Sequence, residues 1–271
     1  MTVRIEKAGA VWTVIHSRPE ARNAMDPASA EALVEAFTAF DRDPEAVVAV
    51  LWGEGGAFCA GFDLKHAAGN ASALDELGYP IEVAGNLPRG PHHAPRGPMG
   101  PTRLELDKPV IAAVAGPAVA GGFEVALWCD LRVMETTAYF GVYCRRWGVP
   151  LVDGGTVRLP RIIGRGRALD LILTGRKVEA EEALHIGLAE RVVPEGQSRP
   201  ASEALAREIA RFPQACLRAD RRSAYQQEGQ SLREAMRYEW DNGVPAYYAE
   251  GAAGAARFAS GKGRSGRFDD L

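Results

Sequence analysis

Between Lys108 and Asp130 the chain reads Lys-Pro-Val-Ile-Ala-Ala-Val-Ala-Gly-Pro-Ala-Val-Ala-Gly-Gly-Phe-Glu-Val-Ala-Leu-Trp-Cys-Asp, and no other stretch limits the possible folds so tightly. Residues 110–114 are apolar without alternation, as in a strand covered on both faces. Gly121-Gly122 then let the backbone turn sharply before an apolar helix over 123–128. A strand entering a helix through a glycine turn leaves the first N–H groups free, and those attract developing negative charge. Glu124 falls in the first helical turn. There a carboxylate either complements the helix dipole or serves as an acid/base beside the anion, and position alone does not separate the two.

The same grammar recurs along the chain. Residues 3–7 and 10–16 flank Ala8-Gly9 as a hairpin, 28–40 form an alanine-rich helix with Leu33, Phe37 and Phe40 at helical intervals, and 46–52 form a buried strand ended by Gly53-Glu54-Gly55-Gly56. After the helix at 123–128, a strand over 130–134 precedes Tyr139-Phe140. Repeated β-β-α units predict an α/β fold. Residues 69–103, rich in Gly and Pro, read as a mobile loop or lid. Asp153-Gly154-Gly155-Thr156 starts a helix over 157–163, short helices follow at 168–173 and 179–185, and 187–193 is a terminal strand. Beyond Pro194-Glu195-Gly196 the pattern is helical to about residue 248, with breaks expected at Pro213 and at Gly243-Val244-Pro245. The chain is thus divided into a core, residues 1–195, and a helical C-terminal region, residues 196–271.

Composition narrows the function. The 271 residues are 46% hydrophobic and 25% charged, enough for a substantial core, and a formal charge of −3 gives no general attraction to nucleic acid or an anionic membrane. Any anionic ligand must be held locally. The four cysteines (Cys59, Cys129, Cys144, Cys216) lack the pair spacing of a metal site, and the N-terminus lacks an apolar signal core, so no metal and a reducing cytoplasm are expected. Apolar runs fall well short of the roughly 20 residues a membrane helix needs. No Gly-x-Ser-x-Gly elbow occurs, which disfavours an α/β-hydrolase.

A second glycine-rich segment, Gly55-Gly56-Ala57-Phe58-Cys59-Ala60-Gly61-Phe62-Asp63-Leu64-Lys65, follows the 46–52 strand. Each segment alone is an ordinary tight turn; two together can aim backbone N–H groups at one carbonyl oxygen. Residues 57–65, with the 108–124 stretch and Cys129-Asp130, resemble the enoyl-CoA hydratase/isomerase (crotonase) superfamily, and the likeness extends to Ser17-Arg18-Pro19-Glu20-Ala21-Arg22-Asn23-Ala24-Met25, Gly154-Gly155-Thr156 and Leu173-Thr174-Gly175. The resemblance implies a crotonase-like spiral of β-β-α units with a helical C-terminal region, homotrimers or homohexamers, acyl-CoA substrates, and no cofactor beyond the coenzyme A that the substrate carries.

Carried over position by position, the resemblance makes the N–H groups of Phe62 and Gly121 an oxyanion hole, places Asp63, Leu64 and Lys65 along the bound acyl-CoA, and makes Glu124 catalytic. Family hydratases carry a second glutamate about twenty residues later; here that position is Cys144. Cysteine does not imitate a carboxylate, so Cys144 is a packed side chain, an acylated nucleophile or a weak acid/base. Asp153, nine positions on, is either a replacement acid or the N-cap of the next helix. Enoyl-CoA hydration is the leading expectation. An isomerase, a CoA-thioester hydrolase and a non-catalytic acyl-CoA-binding subunit are the alternatives. His66, His92, His93, Arg145-Arg146, Arg221-Arg222, Phe258 and Lys262 form a second tier, the last two by the resemblance alone.

Overall fold

The hairpin forms as its alternation dictates in the computed structural model, which describes residues 2–68 and 97–263. β1 (Val3–Ala8) pairs antiparallel with β2 (Val11–His16) around Gly9, whose φ of 60° is the left-handed conformation such a turn needs. α1 (Pro27–Arg42) begins where the Asp26 carboxylate accepts the Ser29 N–H at 2.8 Å, and it buries Leu33, Phe37 and Phe40. Phe40 meets Trp12 of β2, which fastens the helix to the sheet.

From β3 (Val48–Gly53) onward, the chain distributes its strands between two sheets. After β3 it reaches Cys59, which bridges Ala118 in parallel, and then α2 (Leu64–Ala68). The next passage runs β4 (Val110–Val114), β5 (Pro117–Val119) and α3 (Gly121–Trp128). The following one runs β6 (Leu131–Glu135), β7 (Tyr139–Gly141) and α4 (Gly155–Ile163). α5 (Arg165–Thr174), β8 (Lys177–Glu179), α6 (Ala180–His185) and β9 (Arg191–Val193) complete the series. Among the described residues the first sheet has the order β1-β2-β3-β4-β6-β9, parallel from β2 on, and the second β5-β7-β8. This is the spiral of β-β-α units that the sequence implied. All of β4 is buried, as its unbroken apolar run requires.

The chain divides into two compact units, Met1–Ala206 and Arg207–Leu271. The division falls inside α7 (Ser198–Ala210), later than residue 195, because the first part of that helix belongs to the sheet unit: the Ser198 hydroxyl donates to the Glu135 carboxylate at 2.6 Å, and Leu205 and Ala206 are buried. In the second unit, Glu250 accepts the N–H groups of Ala215 and Cys216 at the start of α8 (Gln214–Gln226). A reciprocal Ser231–Glu234 capping box opens α9 (Leu232–Ala246), and Asn242 bonds it to α8 through the Ser223 hydroxyl. The break expected at Gly243-Val244-Pro245 does not occur. α9 continues through all three residues, and a wider π-type turn, Tyr247–Gly251, leads into α10 (Ala252–Ala259). Proline removes one N–H donor without forcing the helix to stop, and a widened turn accommodates the disturbed ladder. No helix among the described residues is long and apolar enough to cross a membrane.

Candidate active site

The two glycine segments meet. Phe58 and Cys59 both direct their N–H groups to the Pro117 carbonyl at 3.1 Å, and Val119 returns its N–H to the Cys59 carbonyl at 3.0 Å. The junction explains its glycines: a Cβ on Gly122 would lie 2.2 Å from the Cys59 carbonyl oxygen, and one on Gly61, at φ 96°, would lie 2.9 Å from the Ala120 Cβ. Between them Ala120 adopts φ 53° and ψ −125°, a conformation L side chains rarely tolerate, with its own N–H bound to the Gly141 carbonyl at 2.8 Å. The next residue, Gly121, opens α3. Among the described residues neither the Gly121 N–H nor the Phe62 N–H donates to a protein acceptor, and both residues border one pocket. Strain at Ala120 is thus coupled to two uncommitted donors beside a cavity.

Leu64, Met99, Glu124, Tyr143, Cys144, Trp147, Val149, Val152 and Asp153 also line that pocket. Glu124 is 3% exposed, and its Oε1 accepts the N–H of Asp153 at 2.9 Å and of Gly155 at 2.8 Å. The acid in the first turn of α3 therefore closes the N-terminus of α4, which has no side-chain cap of its own. Two donors should favour the anion, yet burial outweighs them and, with the nearby charge of Asp153, pushes the Glu124 carboxyl up to about 7.

Asp153, also 3% exposed, does not cap α4 with its side chain, so the N-cap alternative is set aside. Its Oδ1 turns toward the stretch before β4 and accepts the Met99 N–H at 3.1 Å and the Thr102 hydroxyl. Burial pushes its carboxyl up, with those two donors, Arg103 and Arg158 opposing. No hydrogen bond among the described residues engages Glu124 Oε2 or Asp153 Oδ2. The two acids thus border one pocket together, each held by one oxygen.

Cys144 sits in the one-and-a-half-turn helix Tyr143–Trp147, buried in the pocket wall. Burial first, then the Glu124 charge, pushes its thiol up, with Arg145 and nearby backbone N–H groups opposing. That environment suits a packed side chain and opposes thiolate formation.

Other expected positions scatter. Asp63 is turned away from the pocket, toward Arg18 at 3.1 Å and the Lys65 N–H at 3.1 Å, and Lys65 is exposed outside the lining. His66 is exposed, and His92 and His93 lie outside the described residues. Arg145 donates to the Ile172 carbonyl, and Arg146 stacks on Tyr143 with 4.1 Å to the ring centroid. In the second unit Arg221 lies over Tyr225, Arg222 donates to Asn242, Phe258 is exposed, and the Lys262 N–H donates to the Arg257 carbonyl. Met99 and Thr102 were missed, because they fall in the Gly- and Pro-rich stretch read as loop; residues 69–96 of that stretch lie outside the described residues. Its end is instead a tight Gly97–Gly100 turn followed by the short helix Pro101–Arg103. Among the described residues no cluster of His, Cys, Asp and Glu could hold a metal.

Comparison with known proteins fits this geometry. The family model described as enoyl-CoA hydratase/isomerase matches residues 6–80 and 102–249. Enoyl-CoA hydratase EchA19 of Mycobacterium tuberculosis is 34% identical over 92% of this chain and 89% of its own length, and carnitinyl-CoA dehydratase of Salmonella arizonae is 34% identical over 88% and 85%. Among solved structures, enoyl-CoA hydratase EchA1 from Mycobacterium marinum superposes with a TM-score of 0.82 at 32% identity, covering 96% of each chain. The enoyl-CoA hydratase from Bacillus anthracis gives 0.83 at 27% identity, again covering 96% of both. With two uncommitted N–H donors and two buried acids around one pocket, on a spiral shared with these proteins, the chain belongs to the enoyl-CoA hydratase/isomerase family of enzymes.

Proposed function

We propose that the protein is an enoyl-CoA hydratase, adding water across the 2,3 double bond of an enoyl-CoA. The observation that carries this is the pair Glu124 and Asp153: among the described residues each carboxyl is gripped by one oxygen, leaving the other unbonded, in the pocket bordered by Phe62 and Gly121. Those N–H groups receive the thioester oxygen as it gains charge, an interaction worth about 3 kcal/mol per donor in comparable sites. Two like charges in one dry site do not both persist, so the pair carries one proton near neutrality. Glu124, at about 7, is its better holder. The Asp153 carboxylate takes a proton from water as its oxygen bonds to the β-carbon. Electrons pass to the thioester oxygen as an enolate, and Glu124 delivers its proton to the α-carbon. Asp153 thereby stands in for the acid absent at Cys144. Leu64 forms part of the acyl wall, while Asp63 acts only by fixing the loop that carries Phe62.

No cofactor enters this reaction, because coenzyme A arrives with the substrate. Four free cysteines suit a cytoplasmic setting. Leu232, Met236 and Trp240, exposed on one face of α9 at four-residue spacing, suit a homotrimer or homohexamer, which light scattering on the purified protein tests.

The assay is turnover of short- and medium-chain trans-2-enoyl-CoAs with product identification. Hydration is expected, with Glu124→Gln nearly inactive at unchanged acyl-CoA affinity. A folded preparation that binds acyl-CoA and hydrates none of them refutes the reading. Two acids in one pocket also suit passing a proton between the α- and γ-carbons, so a shifted double bond without added water would identify an isomerase. Release of free coenzyme A would identify a hydrolase. Loss of all turnover with binding intact would leave an acyl-CoA-binding subunit.

A further inference from the structure

The oxygen of Asp153 that faces away from catalysis sits in a built cradle. Oδ1 accepts the Met99 N–H at 3.1 Å and the Thr102 hydroxyl, and both donors come from the turn preceding β4. Thr102 is 1% exposed. The turn is shaped around this contact: a Cβ on Gly97 would lie 2.2 Å from Asp153 Oδ1 and 2.3 Å from Thr102 Oγ1. Arg158 closes the other side, donating to the Asp153 carbonyl at 3.0 Å and the Thr102 carbonyl at 2.7 Å. Met99 is shared with the oxyanion side, because its sulfur lies 2.4 Å from where a Gly121 Cβ would be.

We propose that Thr102 is a positioning residue that keeps Asp153 in its ionised, proton-accepting form and fixes the oxygen presented to the substrate. This rests on the assignment of Asp153 as the water-activating acid. The Thr102 hydroxyl donates to the Asp153 carboxylate, and a buried hydroxyl that donates to a carboxylate favours the anion. Other groups also face Asp153. Glu124 from α3 opposes a second negative charge, while Arg103 and Arg158 support it. Cys144 borders the same pocket and interacts with the Glu124 charge. Of the groups supporting the anion, the Thr102 hydroxyl is the strongest counterweight to burial.

The experiment compares pH–rate profiles of wild type, Thr102→Val, Thr102→Ser and Asp153→Asn with one trans-2-enoyl-CoA, alongside an infrared carboxyl titration that needs no turnover. In Thr102→Val the acid limb should move up by about one pH unit, the scale of one lost charge-assisted hydrogen bond. At the foot of that limb kcat should fall roughly tenfold with little change in KM. Thr102→Ser should restore both. An unmoved acid limb in Thr102→Val, or Thr102→Ser as impaired as valine, overturns the proposal. Asp153→Asn separates this from the underlying assignment: wild-type turnover there removes Asp153 from the mechanism, whatever Thr102 does, and the infrared titration still reports whether Thr102 holds its charge. If valine prevents folding, Thr102→Cys, a weaker donor of similar size, should shift the limb in the same direction by less, and no shift refutes the idea.

Discussion

Replacing Glu124 by glutamine should make the protein more stable as it makes it inactive, and by an amount that depends on pH. Oε1 can still accept the Asp153 and Gly155 N–H groups, so the cap on α4 survives. What disappears is the charge. The folded state raises the carboxyl from its ordinary 4.5 to about 7, so it binds the proton more tightly than the unfolded chain. Such a group costs nothing below the unfolded pKa, and its penalty grows as pH rises through the folded one. A rise of that size corresponds to about 3 kcal/mol at pH 8, at 1.36 kcal/mol per pH unit. For a chain this long, that predicts a gain in Tm of roughly 6–12 °C at pH 8 and almost none at pH 4.5. Thermal denaturation of both proteins across that range, followed by circular dichroism, measures it. An equal gain at both pH values would show ordinary repacking, and no gain at pH 8 would show that the buried carboxyl is not strained by its site.

Three further outcomes follow from the same geometry. Gly122→Ala drives a Cβ against the Cys59 carbonyl at 2.2 Å, so it should part the glycine segments and lower kcat at least tenfold, by about 1.4 kcal/mol or more, in the turnover assay. Cys144→Ala should keep activity within about threefold, under roughly 1 kcal/mol of barrier, since burial and the Glu124 charge push its thiol up and oppose the thiolate; steady-state kinetics would contradict this with complete loss. Ala120→Gly relieves a φ of 53° and should stabilise the fold by about 1 kcal/mol in urea denaturation, net of the extra freedom glycine gives the unfolded chain.

Much of this was legible in sequence because it depends on local rules. The hairpin at Gly9, the helix over 28–40 and the buried run Val110–Val114 each follow from turn chemistry or periodicity. β5 and β8, three residues each, are too short to establish a period, and their pairing comes from neighbours distant in the chain. The helix through Pro245 was misread because the rule against internal proline is a penalty, and a widened turn meets it. The pairing of Asp63 with Arg18, forty-five residues apart, was not legible in sequence, because spacing does not say which distant side chains meet.

The sequence by itself determined the strand, turn and helix at Lys108–Asp130, the alternation of β-β-α units, the glycines where backbones must touch, and the absence of a glutamate at Cys144. These are properties of short segments, fixed by periodicity and by which residues tolerate positive φ. Only the tertiary structure decided that Glu124 reaches across to the N-H groups of Asp153 and Gly155, that Asp153 turns to Met99 and Thr102 instead of capping its own helix, and that both acids border one pocket. A carboxyl's role depends on burial and on which donors and charges surround it, and those neighbours come from segments tens of residues away.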